Sequence, residues 1–194
     1  MIRSLAISML LLLFAAIPGY ARYSSPAFSN MQVGVTGTQP ILNGSIGDYW
    51  SPNLTIGGFI GFNVGLGWVE VGFSHGTVEA SKPEQPDFTA QFFNIGWDIP
   101  FKINPCVAVI PGVVAGNTVM RFDDSGASSS ASRETEFTAG GRIALRVCLV
   151  EPFFLRTSAE YLHMFSHHPI DQVRYRVSVG ASLRTPNWMR EVLQ

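Results

Sequence analysis

Residues 173–185 read VRYRVSVGASLRT. Val173, Tyr175, Val177, Val179, Ala181 and Leu183 fall on one parity, and Arg174, Arg176, Ser178, Gly180, Ser182 and Arg184 on the other. A period of two is that of a β-strand, whose side chains point alternately to opposite faces. The same period recurs along the chain and predicts eight strands: Phe28–Thr38, Asn53–Asn63, Leu66–Gly76, Phe88–Ile99, Cys106–Met120, Glu136–Leu149, Phe153–Phe165 and Val173–Thr185. Pro111 sits inside the fifth of these and removes a ladder hydrogen bond, so it marks either a bulge or a shorter strand.

The connections alternate as strictly as the residues. "NVG", "PFKINP" and "VEP" are short, whereas "GTQPILNGSIGDYWSP", "TVEASKPEQPD", "RFDDSGASSSASRET" and "SHHPIDQ" are longer and polar. Long and short in turn is the rhythm of an all-β, antiparallel, up-and-down barrel that crosses a membrane. It predicts short periplasmic turns and both termini at one end, with four longer outer loops at the other. The segment DDSGASSSAS reads as a low-complexity loop tip. PNWMREVLQ, residues 186–194, is a short tail after the last strand.

The N-terminus supports export. Met1-Ile2-Arg3 is a positive start, LAISMLLLLFAAI is an apolar run of signal-peptide length, and Gly19 and Ala21 are small residues at the expected cleavage positions. The reading is a signal peptide over residues 1–21 and a single barrel domain over 22–194. The rival, an uncleaved anchor, falls short of the length needed to span a bilayer. Beyond residue 22, Gly, Pro or a charge breaks every apolar run. Yet 46% of the chain is hydrophobic and only 14% charged, against about 25% charged in soluble domains. Exported apolar surface without a spanning helix implies an outer-membrane barrel. With a net charge of −1 and no basic patch interleaved with aromatics, nucleic acid is excluded as a natural partner.

Parity also sorts the faces. One carries Val69, Val71 and Phe73, then Phe93, Ile95 and Trp97, then Ile143, Leu145 and Val147. The other carries Glu70, Gly72 and Ser74, then Asn94, Gly96 and Asp98, then Arg142 and Arg146, with Arg156, Glu160, Arg174, Arg176 and Arg184 further on. A soluble barrel of the lipocalin kind turns the apolar face inward, and a membrane barrel the reverse. The polar face is rich in glycine, which suits a crowded narrow interior, and lysine occurs only at Lys82 and Lys102. Trp97, Phe101, Phe153, Tyr161 and Tyr175 stand where interfacial girdles belong. The membrane orientation follows: Val177, Val179 and Leu183 toward lipid, Arg174, Arg176 and Arg184 toward the lumen.

The glycine-rich TIGGFIGFNVGLGWVEVGF and the closing SVGASLRT, within the strand–turn rhythm, resemble the small eight-stranded bacterial outer-membrane barrels of the OmpA/OmpX kind over residues 28–185. Ser178 and Gly180 match the polar and glycine positions of that family's closing-strand signal, and Leu183 stands where an aromatic is usual. The resemblance implies a monomer embedded among outer-membrane lipid and lipopolysaccharide. It implies a structural or surface role in envelope integrity, adhesion or binding of a surface ligand or host protein through the loops, with no cofactor and no metal.

Three groups of residues are candidates for chemistry. Glu70, Asp98, Arg142, Arg146, Arg156, Glu160, Arg174 and Arg176 form an expected lumen charge network, because interior charges must be paired. It reads as a plug that fixes the barrel or, alternatively, as the lining of a narrow channel. Cys106 and Cys148 are placed opposite each other near the periplasmic rim and predict a disulfide, the alternative being two free thiols. Glu160, His163, Ser166, His167 and His168 cluster late in the chain, and outer-membrane lipid A enzymes share this barrel size. Glu160 and His163 differ in parity, however, and should face opposite sides. Asp123-Asp124 lacks the ligand framework of a calcium site, and the matches NGS (43–45) and NLT (53–55) to the glycosylation pattern are short enough to arise by chance.

Overall fold

The computed structural model describes residues 26–83, 85–122, 133–166 and 170–193. The expected signal peptide, Asp123-Asp124, His167 and His168 lie outside the described residues. The strand segments are β1 (Asn30–Leu42), β2 (Trp50–Pro52), β3 (Thr55–Val64), β4 (Gly67–Ala80), β5 (Phe88–Asp98), β6 (Phe101–Asn104), β7 (Val107–Phe122), β8 (Arg133–Cys148), β9 (Phe153–Phe165) and β10 (Ile170–Arg184). A 3-10 turn (Gly44–Asp48) precedes β2, and a short helix α1 (Asn187–Leu193) follows β10.

β2 and β3 both pair with β4, and β5 and β6 both pair with β7, so each couple makes one wall of the barrel. β1 pairs antiparallel with β10 from Asn30↔Arg184 to Leu42↔Gln172, which closes the sheet. Closure removes the free edges that a sheet cannot expose to lipid. The result is the eight-stranded antiparallel up-and-down barrel that the alternation predicts.

Pro111 neither shortens nor bulges its strand on the β8 side, where Ile110↔Ala144, Pro111↔Ile143 and Gly112↔Arg142 run in unbroken register. On its other side lies the break between β5 and β6. There the Pro111 carbonyl accepts from Ile99 N at 2.9 Å. The ring's missing N–H thus falls where the ladder is already interrupted.

Several strands run further outward than the sequence pattern predicts. β1 continues to Leu42, β4 to Ala80 and β7 to Phe122, while β8 starts at Arg133 and β10 at Ile170. The reason is a change of polarity along the wall. In β5, Phe93, Ile95 and Trp97 face outward and are exposed, but the next outward residues toward the loops are Gln91 and Thr89. In β4 the outward Val71 and Phe73 give way to His75, Thr77 and Glu79. The change falls at an aromatic girdle: Phe73 pairs with Phe93 at a ring separation of 4.8 Å, and Phe137 with Phe165 at 5.7 Å. Asn117 stands between them on β7. Tyr161 and Tyr175 are exposed on the neighbouring strands, and Trp97 and Phe153 are exposed toward the periplasmic end. Lipid therefore covers the wall up to the girdle, and the outer section stands in water.

Charge insertion reads this boundary. Ile95→Arg is expected to lower folding stability in phospholipid vesicles by about 2–4 kcal/mol, and Gln91→Arg by about 0–1 kcal/mol. Urea unfolding midpoints of the two variants check it. Equal losses would remove the boundary.

Candidate functional site

Parity delivers the charged side chains to one layer. Glu70 comes from β4, Asp98 from the end of β5, Arg142 from β8, Arg156 and Glu160 from β9, and Arg174 and Arg176 from β10. All seven are buried. Arg142 is the hub: its Nε and Nη2 donate to the two Asp98 oxygens, each at 2.7 Å, and its Nη1 donates to Glu70 Oε1 at 2.9 Å. Two parallel bonds to one carboxylate use the planar fork of arginine. Arg156 Nη2 lies 2.6 Å from the other Glu70 oxygen. Arg176 bridges the acids, 3.5 Å from Glu70 and 3.3 Å from Glu160. Arg174 Nε is 3.8 Å from Glu160. Gly96 makes room for the hub, since a Cβ there would come within 2.6 Å of Arg142 Nη2.

Arg146 lies toward the periplasmic side, donating to Ser182 Oγ at 2.8 Å and lying over the Phe154 ring at 4.2 Å. Phe154 and Phe59 fill the lumen beneath the charges, 6.4 Å apart, with Arg156 over Phe59 at 4.5 Å. Their space comes from Gly34 and Gly180, directly opposite each other across the closing seam. A Cβ at either glycine would come within 2.6 Å of a phenylalanine ring. These two aromatics were missed by the sequence reading, which treats their face as polar. The available signal was that each shares its parity with glycine or arginine neighbours.

The plug divides the lumen in two. Below it, a cavity of about 350 Å³ is lined by Trp68, Lys102, Arg146 and Arg184, among others. Above it, a cavity of about 410 Å³ is lined mainly by apolar residues, including Val78, Phe88, Phe92, Met120 and Met164, with Arg174 and Ser74 at its base.

Cys106 and Cys148 are opposite each other, one step beyond Val107↔Val147, as the sequence arithmetic places them. The disulfide is corrected: both are free thiols. Cys148 N donates to the Cys106 carbonyl at 2.8 Å, so the pair occupies a hydrogen-bonded site of the ladder. Cβ atoms stand widest apart at such sites, about 5.5 Å, beyond the separation of about 4.5 Å that a disulfide tolerates. A hydrogen bond with Cys148 pushes the Cys106 thiol up from its ordinary value, which disfavours the reactive thiolate.

The late cluster separates. Glu160 is buried within the plug, whereas His163 points out of the barrel, with Nδ1 2.7 Å from Asp171 Oδ1 on β10. Ser166 lines the outer cavity. The carboxylate beside His163 is therefore that of Asp171 and not that of Glu160. Among the described residues no group of three or more His, Cys, Asp or Glu is placed to hold a metal ion.

This fold is that of the small eight-stranded outer-membrane barrels of the OmpA/OmpX kind. Neisserial surface protein A is similar to the chain with a TM-score of 0.60 and 12% identity, over 82% of this chain and 99% of that one. The N-terminal barrel domain of Pseudomonas aeruginosa OprF matches at 0.52 and 16%, over 81% and 100%. Ail, the attachment invasion locus protein of Yersinia pestis, matches at 0.53 and 14%, over 79% and 97%. No family profile and no curated protein matches the sequence.

Removing the hub should be costly. Arg142→Met leaves Glu70 and Asp98 buried without their main partner and is expected to destabilise the barrel by about 3–5 kcal/mol. Adding Asp98→Asn and Glu70→Gln should restore part of that loss. Urea midpoints of the single and triple variants check this, and an unchanged midpoint for Arg142→Met would show that the pairs do not hold the barrel together.

Proposed function

We propose that this chain is a non-catalytic, monomeric outer-membrane barrel whose work is done at its outer end. It is exported through a signal peptide over residues 1–21, sits among outer-membrane lipid and lipopolysaccharide, and serves envelope integrity, adhesion or the binding of a surface ligand or host protein. The observation that carries this reading is the plug. Four arginines and three carboxylates interlock across the lumen between two separate cavities. A barrel of eight strands has just enough interior for side chains, so an ion would have to displace bonds as short as 2.7 Å to pass.

The separation of Glu160 from His163 speaks against the lipid-modifying alternative. A binding role gains support from Ail, a barrel of this fold that has been crystallised in complex with the heparin analogue sucrose octasulfate.

Planar-bilayer recording tests the proposal. The protein is expected to give no conductance steps, while a variant carrying Glu70→Ala, Asp98→Ala and Arg142→Ala together should show small cation or anion currents. Steady conductance by the unmodified protein would overturn the plug in favour of a narrow channel.

A further inference from the structure

The outer cavity inverts the logic of the barrel below it. Beneath the girdle the lumen is polar and the outside apolar. Above it, β5 turns Phe88, Ala90 and Phe92 inward with Gln91 outward, and β4 turns Val78 inward with Thr77 and Glu79 outward. On these two strands the section is built like a small soluble barrel, apolar inside and polar outside. At about 410 Å³ its cavity lies within the range, about 300–1,000 Å³, that holds small molecules.

The base of that cavity carries a charge that its neighbours serve poorly. Four arginines of the plug meet three carboxylates. Glu160, nearest to Arg174, lies 3.8 Å from its Nε and is shared with Arg176 at 3.3 Å and Arg142 at 3.9 Å. Arg174 is 3% exposed, its Nε has no hydrogen-bond partner, and its Nη2 reaches Ser74 Oγ only at 3.4 Å. Its guanidinium lies 4.9 Å from the Phe92 ring centroid, on the cavity wall. A buried cation with an unfilled donor at the base of a mainly apolar cavity calls for an anion with an apolar body.

We propose that the outer cavity binds a single-chain amphiphile with one small anionic head, a medium-chain carboxylate. The head accepts from Arg174 and Ser74, and the chain lies against Val78, Phe92, Met120 and Met164. The proposal rests on the plugged, surface-acting reading above and names the ligand class of that outer end. Glu134 and Glu136 line the cavity from β8 and set the opposite pole, so an amine is the ligand that must be tested against it.

The methionines supply the readout. Met120 and Met164 line the cavity, whereas Met31 and Met189 do not. With the full chain in lipid nanodiscs and ¹³C-methyl-labelled methionine, octanoate should shift the Met120 and Met164 signals saturably and leave Met31 and Met189 unmoved. Octanol should bind about tenfold more weakly, the value of a hydrogen bond to a charged group, and octylammonium should not compete. Arg174→Gln should bring octanoate down to the affinity of octanol. Val78→Trp, which fills the cavity away from the plug, should abolish both. The proposal is overturned if Met120 and Met164 do not respond, if all four signals drift together as in simple partition, if Arg174→Gln leaves octanoate binding unchanged, or if octylammonium binds as well as octanoate. Each of those results leaves the bilayer test of the plug untouched, so failure of the ligand and failure of the plug are read separately.

Discussion

An eight-stranded barrel has room inside for side chains and little else, and here its mid-section is filled by charges that could not stay there unpaired. The pairing of Arg142 with Asp98 and Glu70 ties β8 to β5 and β4 across the lumen rather than around the wall. Glu160 and Glu70 are likewise joined through Arg176, so β9, β10 and β4 meet in the same layer. Hydrogen bonds around the wall fix neighbouring strands. Only contacts through the interior fix strands that are not neighbours. The small residues of the polar face serve that arrangement: Gly96 leaves space for the Arg142 guanidinium, and Gly34 and Gly180 leave space for the phenylalanines below it.

The wall itself obeys two solvents. Between the girdles it faces hydrocarbon, so Val71, Ile95, Ile143 and Val177 are exposed without cost. Beyond the Phe73–Phe93 and Phe137–Phe165 pairs it faces water, and on β4 and β5 the same pleat carries polar residues outward and apolar residues inward. Trp50 secures this upper section, with its indole N donating to the Pro86 carbonyl at 3.2 Å and its ring edge-on to Phe88 at 6.0 Å. On these two strands of one continuous sheet, inside and outside thus exchange character at one level.

That exchange explains what was legible in the sequence. Strict alternation located all eight walls, their order and the inward parity of Glu70, Asp98, Arg142 and Arg174, because a period of two survives whichever face is wet. The outer strand ends were not legible. A segment such as TVEA, residues 77–80, alternates in the opposite sense to the residues before it and so reads as a loop. Phe59 and Phe154 were hidden for a related reason, since a lumen described as polar gives no place to two aromatic rings, and only the facing glycines reveal it. The cysteine pair shows a different limit. Counting from the hairpin midpoint set Cys106 opposite Cys148, but whether a pair falls on a hydrogen-bonded or a non-hydrogen-bonded site depends on the ladder, which counting cannot see.

The placement of charge along β10 gives the plug a direction. Arg174 and Arg176 lie two residues apart on one face of the strand, with Arg174 nearer the outer end. Glu160 is the direct cross-strand partner of Arg174, yet its carboxylate is closer to Arg176. The other two acids, Glu70 and Asp98, lie on the periplasmic side, among the residues lining the lower cavity. Two of the plug's three carboxylates therefore lie below, and Arg174 is left at the base of the outer cavity. Had a fourth acid matched Arg174, the plug would be electrically closed at both ends. As built, it presents the Arg174 guanidinium at the base of the outer cavity, whose wall carries Glu134 and Glu136 from β8.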